Sequence, residues 1–384
     1  MTTSTQAPPG PLDTAARALA PDLARGGMLL AIAFAHAPLF VVAAGQGNAL
    51  ANDIAIFFQS LFVNNHARPM FAFLFGYALV QLLDRQTARG GDWPTVRKLL
   101  RRRGWWLMAF GFAHVALLVP IDILAVYGLS AVLLVGMLRF RDSALLWTAG
   151  LTMVPSTVLI GLVTWYPLSQ GQSVYDMISL AGTTDLVQMA MERVQAWPPG
   201  LIVGVTMVVP GVLLGMWAAR RRMLDEPTRH RTLLVRITVS TTVVSLAGSA
   251  PLGLVLTGAW KPDGAALLAA SLAQPITGYL GGIGMATGMA LIAIVAERRR
   301  NRLTVAVEAL GQRSMSLYLF QSIVFVAVFY PFGLGLQDDL GIAGATGVAV
   351  ATWLLSLVIA DLMRRAGHRG PAEILLRRLA YRRR

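Results

Sequence analysis

Long apolar segments recur along the chain and alternate with short polar links. A helix needs roughly 20 apolar residues to cross the hydrocarbon core of a bilayer, and most of the segments approach that length. None shows the period-two alternation of a membrane β-barrel strand, so the segments are predicted to be helices. The pattern predicts an all-α, polytopic membrane helix bundle of about ten transmembrane segments. They lie near residues 26–45, 69–83, 104–119, 121–138, 143–166, 200–219, 233–256, 265–296, 314–334 and 341–363.

Basic residues lie almost entirely on one side of this pattern. Of the 33 Lys and Arg residues, only Arg68, Arg193 and Lys261 fall in the alternate set of links. Short basic loops stay in the cytoplasm, so both termini are predicted to be cytoplasmic. We expect a short disordered cytoplasmic tail at 1–24, an N-terminal transmembrane half at 25–222, and a C-terminal transmembrane half at 223–384 with a basic cytoplasmic tail.

Composition supports a membrane protein. Hydrophobic residues make up 55% of the chain and charged residues 14%, whereas a soluble domain carries roughly a quarter charged residues. The net charge of +14 would suit nucleic acid, but the arginines lie at helix ends, where they set topology and meet anionic lipid headgroups. We therefore expect a lipid bilayer and no nucleic acid as partner. The chain has no cysteine, which excludes disulfides and thiolate nucleophiles.

Three stretches depart from the simple pattern of spans. The link at 46–67 contains an apolar stretch, Ile54 to Val63, that is too short to cross and is expected to lie along the outer surface or fold back into the bundle. The basic segment at 298–312 is predicted to be an amphipathic helix on the inner leaflet. The glycines between Gly278 and Gly288 predict close helix packing, with backbone approach to a ligand as the alternative.

Polar side chains inside a bilayer are costly and often mark a functional site. His36 and His114 are predicted near mid-depth, His66 and Arg68 at the outer mouth of the second span, and Asp122 at a break after the third. A neutral histidine is suited to act as a general base. Each residue also has an explanation without function. His36 and His114 can bridge helices, and His66 can be an ordinary interfacial residue. Arg68 can pair with Asp53 or a lipid phosphate, and Asp122 can cap the next helix.

The ninth span adds a second polar set. Ser314, Tyr318 and Gln321 share one helix face, and Arg313 flanks its start. Packing between helices is the alternative explanation for this stripe. We interpret four residues as candidates for substrate binding: Arg68, Arg313, Tyr318 and Gln321. The histidines lie on separate segments without a diagnostic spacing, so no metal site is predicted.

Five segments resemble the DUF418 (YeiB-like) family of bacterial membrane proteins. They are APDLARGGMLLAIAFAHAP at 20–38, RPMFAFLFGYALVQL at 68–82, RRRGWWLMAFGFAHVALLVPIDILAVYGL at 101–129, LGQRSMSLYLFQS at 310–322 and RGPAEILLRRLAY at 369–381. Ile121 replaces the glycine that usually precedes the aspartate in this family. The resemblance implies a multi-pass protein of the bacterial cytoplasmic membrane.

The family's overall plan is similar to that of transmembrane acyltransferases, including the heparan-glucosaminide acetyltransferase group. This similarity implies transfer of an acyl group from a cytoplasmic thioester, such as acyl-CoA, to an extracytoplasmic hydroxyl or amine, with no tightly bound cofactor. The expected catalytic residues are His66, His114, Asp122 and His36. Arg101 to Arg103 or Arg313 would hold the phosphates of the donor, and Arg68 and Gln321 are candidates for stabilising the oxyanion.

Two other functions fit the same sequence. A small-molecule transporter would use the proline-broken spans and the buried histidines as a central, proton-coupled site. A structural or regulatory membrane protein would have no turnover at all. The sequence also allows a homo-oligomer.

Overall fold

Helices account for all the regular secondary structure in the described residues. The computed structural model describes residues 18–42, 44–177, 180 and 182–381, which contain fourteen α-helices and no β-strand. The all-α prediction is confirmed. The helices are α1 (Leu19–His36), α2 (Ala49–Phe62), α3 (Ala67–Thr87), α4 (Trp93–Leu117), α5 (Leu124–Leu134), α6 (Asp142–Ser169), α7 (Val174–Met177), α8 (Leu186–Arg220), α9 (Arg231–Leu256), α10 (Gly264–Arg298), α11 (Arg302–Gln312), α12 (Ser314–Phe329), α13 (Ile342–Arg365) and α14 (Pro371–Tyr381). Helix α1 begins inside the predicted 1–24 tail, whose first 17 residues lie outside the described part.

The helices that can cross a membrane are fewer than the apolar segments suggested. Among the described residues, six are long and apolar enough: α1 with the 3₁₀ turn that follows it, α6, α8, α9, α10 and α13. Helices α11 and α12 meet at 88° and form a seventh span if the bent pair counts as one. The chain is therefore built as a multi-span membrane protein, but the predicted count of ten is not confirmed.

Charge and length account for two of the predicted segments that are not among these spans. Helix α4 carries five cations between Arg97 and Arg103, so only its second half is apolar. Helix α5 contains 11 residues, which at about 1.5 Å per residue cover roughly half of a bilayer core. Neither helix therefore has the apolar length that the six spans have.

The basic clusters converge at one end of the bundle, which we call the basic end. The N-terminal parts of α1 and α4, the C-terminal ends of α3, α10 and α13, and helix α14 surround one cavity there. Arg220 and Arg221 both bind Asp142, at 2.8 and 2.7 Å, and so attach the end of α8 to the start of α6. The uneven distribution of basic residues along the sequence thus corresponds to a basic end in space. The side of the membrane that the basic end faces stays a prediction.

Glycines allow several helices to approach more closely than a side chain would permit. A Cβ on Gly76 of α3 would collide with the carbonyl of Val212 on α8, and one on Gly282 of α10 would lie 2.7 Å from the His66 carbonyl oxygen. Small residues are the usual means of tight helix packing in membranes. The packing explanation for the α10 glycines is therefore confirmed.

The two non-spanning stretches are both helices. Helix α2 folds back onto α9 and α13 with polar residues inward: Asn52 accepts a hydrogen bond from the Ala343 amide, and Gln59 donates one to Thr346. Its apolar stripe, which includes Ile54 and Phe58, points outward. Helix α11 is the predicted amphipathic helix, and it packs against α1 and α13.

Gly76→Ala is expected to destabilise the protein. The new methyl group would press on the Val212 backbone, which cannot move away as a flexible side chain could, at a cost of about 1–3 kcal/mol. Gly150→Ala is the matched control, since nothing lies within 4 Å of its added Cβ and alanine favours helix. Thermal unfolding in nanodiscs should show a lower midpoint for Gly76→Ala alone. An unchanged midpoint would contradict the proposed packing.

The absence of cysteine makes the orientation directly measurable. Thr228→Cys, in the exposed link between α8 and α9, is expected to resist membrane-impermeant maleimide in intact cells and to react after lysis. Lys261→Cys, in the exposed link between α9 and α10, should react in intact cells. The reverse labelling pattern would place the basic end outside.

Candidate functional site

A cavity of about 1570 Å³ opens at the basic end, and we call it the vestibule. Cations dominate the ionisable side chains that line it. Ten arginines face four carboxylates: Arg25, Arg85, Arg89, Arg103, Arg300, Arg313, Arg364, Arg369, Arg377 and Arg378 against Asp22, Glu297, Glu308 and Glu373. The opening is thus electropositive and suited to an anionic molecule.

The inner part of the vestibule is apolar and aromatic. Its walls include Phe71, Phe75 and Tyr127, and the Tyr127 ring lies 4.9 and 4.8 Å from the two phenylalanine rings. Tyr318 also lines it, and its ring lies 5.2 Å from the His114 ring. Tyr318 therefore stands between the vestibule and a group of polar residues deeper in the bundle.

His114 and Asp122 form the centre of that group. Both side chains are nearly inaccessible, at 1% and 3% exposure, and His114 Nδ1 lies 3.4 Å from Asp122 Oδ1. The distance exceeds that of a normal hydrogen bond, so the two atoms face each other without being hydrogen-bonded. On the other side of the ring, Nε2 lies 2.8 Å from the Ser322 hydroxyl. One histidine thus connects a carboxylate to a hydroxyl inside the bundle.

Asp122 makes two contacts, one to the start of α5 and one to His114. Its Oδ2 accepts a 2.5 Å hydrogen bond from the Ala125 amide in the first turn of α5, while Oδ1 faces His114. The amides of a helix N-terminus favour a carboxylate, which offsets part of the cost of burying the charge. Helix capping therefore holds the aspartate that faces the histidine.

Glycines set the spacing of the α4–α5 hairpin that carries this pair. Cβ atoms on Gly104 and Gly128 would each lie within 2.7 Å of the other residue's carbonyl oxygen. A Cβ on Gly111 would overlap both Asp122 Oδ2 and the Ala125 amide. The His114–Asp122 contact therefore depends on glycine at position 111.

Two further candidates join the pair. His36 ends α1, its ring lies 6.3 Å from that of Tyr318, and it is within electrostatic range of His114, Asp122 and Arg68. The Arg68 guanidinium donates to the sulfur of Met207 at 3.2 Å. The structure thus brings together His36, His114, Asp122 and Tyr318, with Arg68 beside them.

Buried groups without hydrogen-bond partners lie on the same helix, α12. Both amide atoms of Gln321 lack a partner among the described residues, and the Tyr318 hydroxyl lies near the Ile123 backbone without a hydrogen bond of normal geometry. Buried polar atoms are nearly always paired in proteins, so exceptions are informative. Here they are available to a bound molecule.

His66 lies apart from this group. It precedes α3 and is buried, with Nε2 at 2.6 Å from the Ser245 hydroxyl and Nδ1 at 2.7 Å from the Asn64 carbonyl. Its ring packs against Gly281. None of these contacts is shared with His114, so the geometry gives no reason to prefer its predicted catalytic role over packing.

Arg313 occupies the bend between α11 and α12. Its guanidinium donates to the carbonyls of His368, at 2.6 and 3.1 Å, and Ala309, at 3.0 Å. Glu373 on α14 accepts hydrogen bonds from the Met315 and Ser316 amides at the start of α12. These bonds fasten α14 to the bend, and phosphate binding by Arg313 stays a prediction. Among the described residues, no group of three or more His, Asp or Glu could hold a metal ion.

The side of the polar group away from the vestibule is closed by aromatic rings. Phe40 lies 5.4 to 5.8 Å from Phe325, Phe329 and Tyr330, and these four residues form what we call the aromatic plug. Arg193 donates to the Tyr330 hydroxyl at 2.6 Å. The plug follows His36 along the chain after α1 and follows Ser322 along α12. It therefore lies beyond the polar group from the starts of both helices, which line the vestibule.

Three important residues were not selected from the sequence. Ser322 follows Gln321 directly, Tyr127 follows Asp122 by five residues, and Gly111 precedes His114 by one helical turn. Their positions next to selected residues were a usable signal. Serine, tyrosine and glycine are common in membrane helices, so composition alone gives them no special weight.

Comparison with known proteins supports the resemblance found in the sequence. Residues 218–383 match the family model described as "Protein of unknown function (DUF418)". "Uncharacterized protein YxaH" of Bacillus subtilis is 25% identical over 342 residues, which cover 83% of this chain and 80% of the relative. "Uncharacterized protein YeiB" of Escherichia coli is 23% identical over 341 residues, covering 82% and 81%. The DUF418 resemblance is confirmed, with the family model covering the end of α8 through α14.

Gly111→Ala is expected to weaken the α4–α5 hairpin. The methyl group would push against the Asp122 carboxylate and the α5 backbone, which should cost about 1–3 kcal/mol. Gly200→Ala is the control, because it adds a methyl group to a helix with nothing within 4 Å. The unfolding midpoint in nanodiscs should fall for Gly111→Ala and not for Gly200→Ala. Equal midpoints would mean that the two helices do not approach as described.

Proposed function

We propose that the protein is a membrane acyltransferase. It would move an acyl group from a thioester donor at the basic end to a hydroxyl or amine acceptor on the opposite side of the membrane. The observation that carries the proposal is the arginine-lined vestibule, whose wall includes Tyr318, together with the buried His114–Asp122 pair on the other side of that tyrosine. In this proposal the protein resides in the bacterial cytoplasmic membrane, and the basic end faces the cytosol.

The vestibule suits a long anionic donor such as acyl-CoA. Arg103 lies on its wall and interacts with Glu373 and Tyr381 only through longer-range electrostatics, so its guanidinium is available for a phosphate. His114 lies on the same helix, about 16 Å further along the axis and within about 20° of the same direction. An extended pantetheine arm joins phosphate to thioester over a comparable length.

The buried pair suits general-base chemistry. Asp122 favours the tautomer with the proton on His114 Nδ1, which leaves Nε2 free to accept one. Nε2 would take the proton of the acceptor hydroxyl or amine as it attacks the acyl carbon. The pair therefore supplies the base that acyl transfer to a neutral acceptor needs.

The unpaired donors nearby suit the charge that develops on the acyl oxygen. The Tyr318 hydroxyl and the Gln321 amide are buried, lie on the same helix as Ser322, and have hydrogen-bonding capacity to spare. Such donors stabilise an oxyanion more strongly in a buried site than in water. Arg68 lies on the His36 side of the group and would bind a polar part of the acceptor.

Release of CoA from acetyl-CoA tests this function. The chain has no cysteine, so a thiol reagent reports free CoA without background from the protein. Ethanolamine, which offers both an amine and a hydroxyl, serves as acceptor. His114→Gln should lower the turnover rate by about 10²–10⁴, the usual contribution of a general base. His66→Gln, the matched control, should retain turnover. Retention by His114→Gln would remove the proposed base.

A transporter is the second candidate, and the aromatic plug favours it. A vestibule that is open at the basic end, with the aromatic plug packed beyond the polar group, resembles one state of an alternating-access carrier. Acyl transfer and transport differ in their products. Flux of an unchanged anion into proteoliposomes, without release of CoA, would favour transport.

A further inference from the structure

We propose that Ser322 is the catalytic nucleophile and that the acyl group passes through an ester on its Oγ. This inference rests on the proposed function, because it names the covalent step of the same reaction. It assigns chemistry to a residue that was not selected as a site residue from the sequence.

The geometry contains the three groups of a serine nucleophile system in order. Ser322 Oγ lies 2.8 Å from His114 Nε2, and His114 Nδ1 lies 3.4 Å from Asp122 Oδ1. All three side chains are buried. A nucleophile within hydrogen-bond reach of a base that a third group orients is recognised by geometry, whatever the fold.

The Ser322 hydroxyl is drawn away from its own helix. A serine inside a helix usually donates to the carbonyl four residues earlier. Ser130, Ser240 and Ser356 each make this bond at 2.8 Å. For Ser322 the corresponding distance, to the Tyr318 carbonyl, is 3.4 Å, and the shorter contact is the one to His114. The hydroxyl is therefore oriented by the histidine, as the proposed reaction requires.

A second serine–histidine contact in the protein lacks the carboxylate that accompanies Ser322 and His114. Ser245 Oγ lies 2.6 Å from His66 Nε2, but Nδ1 of His66 faces the Asn64 carbonyl, with no carboxylate as its partner. A backbone carbonyl orients the ring but cannot stabilise an imidazolium as a carboxylate does. Ser245 therefore offers a matched comparison within the same protein.

The bonds and protons of the reaction balance with Ser322, His114, the thioester donor and the acceptor. Ser322 Oγ attacks the thioester carbonyl and gives its proton to His114 Nε2. The carbon–sulfur bond breaks, and the departing thiolate takes that proton to leave as free thiol. The acceptor then gives a proton to Nε2 and attacks the serine ester. The carbon–oxygen bond to Ser322 breaks, and Oγ recovers the proton.

A covalent intermediate also allows the donor and the acceptor to reach the site at different times and from different sides. Donor and acceptor are expected from opposite sides of the membrane, while the aromatic plug closes the side away from the vestibule. An ester on Ser322 holds the acyl group after the thiol has left, so donor and acceptor need never occupy the site together. Steady-state kinetics should therefore be ping-pong.

Acyl trapping tests the proposal. Full-length protein in nanodiscs is incubated with acetyl-CoA without acceptor, and peptides are analysed by mass spectrometry. We expect one acetyl group on Ser322 in the unmodified chain and none in Ser322→Ala or His114→Gln. Ser322→Ala should lower CoA release with ethanolamine by at least about a hundredfold, the scale of losing an activated nucleophile.

Two control variants separate chemistry from packing. Ser245→Ala removes the serine of the other histidine contact, and Ser356→Ala removes a fully buried helical serine. Both should keep the label on Ser322. Ser322→Cys restores a nucleophile as the sole cysteine of the chain and should accept the acetyl group as a thioester that hydroxylamine removes. Labelled Ser322→Cys beside inactive Ser322→Ala would exclude a purely structural role.

The outcomes distinguish this inference from the function on which it rests. CoA release that persists in Ser322→Ala, or an acetyl group found on His114, would overturn the nucleophile while leaving acyl transfer intact. If acetyl-CoA is not consumed at all, labelling with a fluorophosphonate serine probe still tests whether Ser322 is a nucleophile. Labelling of Ser322 that depends on His114 would support the nucleophile without the proposed donor, and equal labelling of His114→Gln would contradict it.

Discussion

The contact between His114 and Asp122 is the interaction on which the rest of the site depends. An aspartate and a histidine inside a helix bundle are costly unless each finds a partner. Here the aspartate uses one oxygen to cap α5 and the other to face the histidine, so a single carboxylate joins the fold to the site. The close approach of α4 and α5, which Gly111 permits, makes the contact with the histidine possible.

The arginines connect topology with ligand entry. The same clusters that predict a cytoplasmic end also surround a vestibule, because the helix ends that carry them converge in space. Several of the vestibule arginines are held within the protein. Arg25 pairs with Asp22, Arg300 with Glu308 and Arg364 with Asp361, and Arg313 binds carbonyls. Arg103, deeper on α4, interacts only at longer range and is the better candidate for a ligand.

Much of this could be predicted from local sequence, and the remainder depends on tertiary contacts. Apolar length predicted the helices, and arginine spacing predicted a single basic end. The rarity of polar residues in the spans selected His36, His114, Asp122 and Tyr318, which the structure brings together. The same rarity also selected His66, which packs elsewhere. The sequence does not show which helix a buried histidine contacts. The count of ten spans is not confirmed, because α4 carries five cations in its first half and α5 contains only 11 residues.

The most direct test of the account is a cryo-EM structure in nanodiscs with a thioether analogue of acetyl-CoA, in which the acyl group cannot be transferred. We expect phosphate density among the vestibule arginines and the thioether beside Ser322, with His114 lying between Ser322 and Asp122. Analogue density outside the vestibule, or His114 and Asp122 facing separate lipid-packed surfaces, would contradict it.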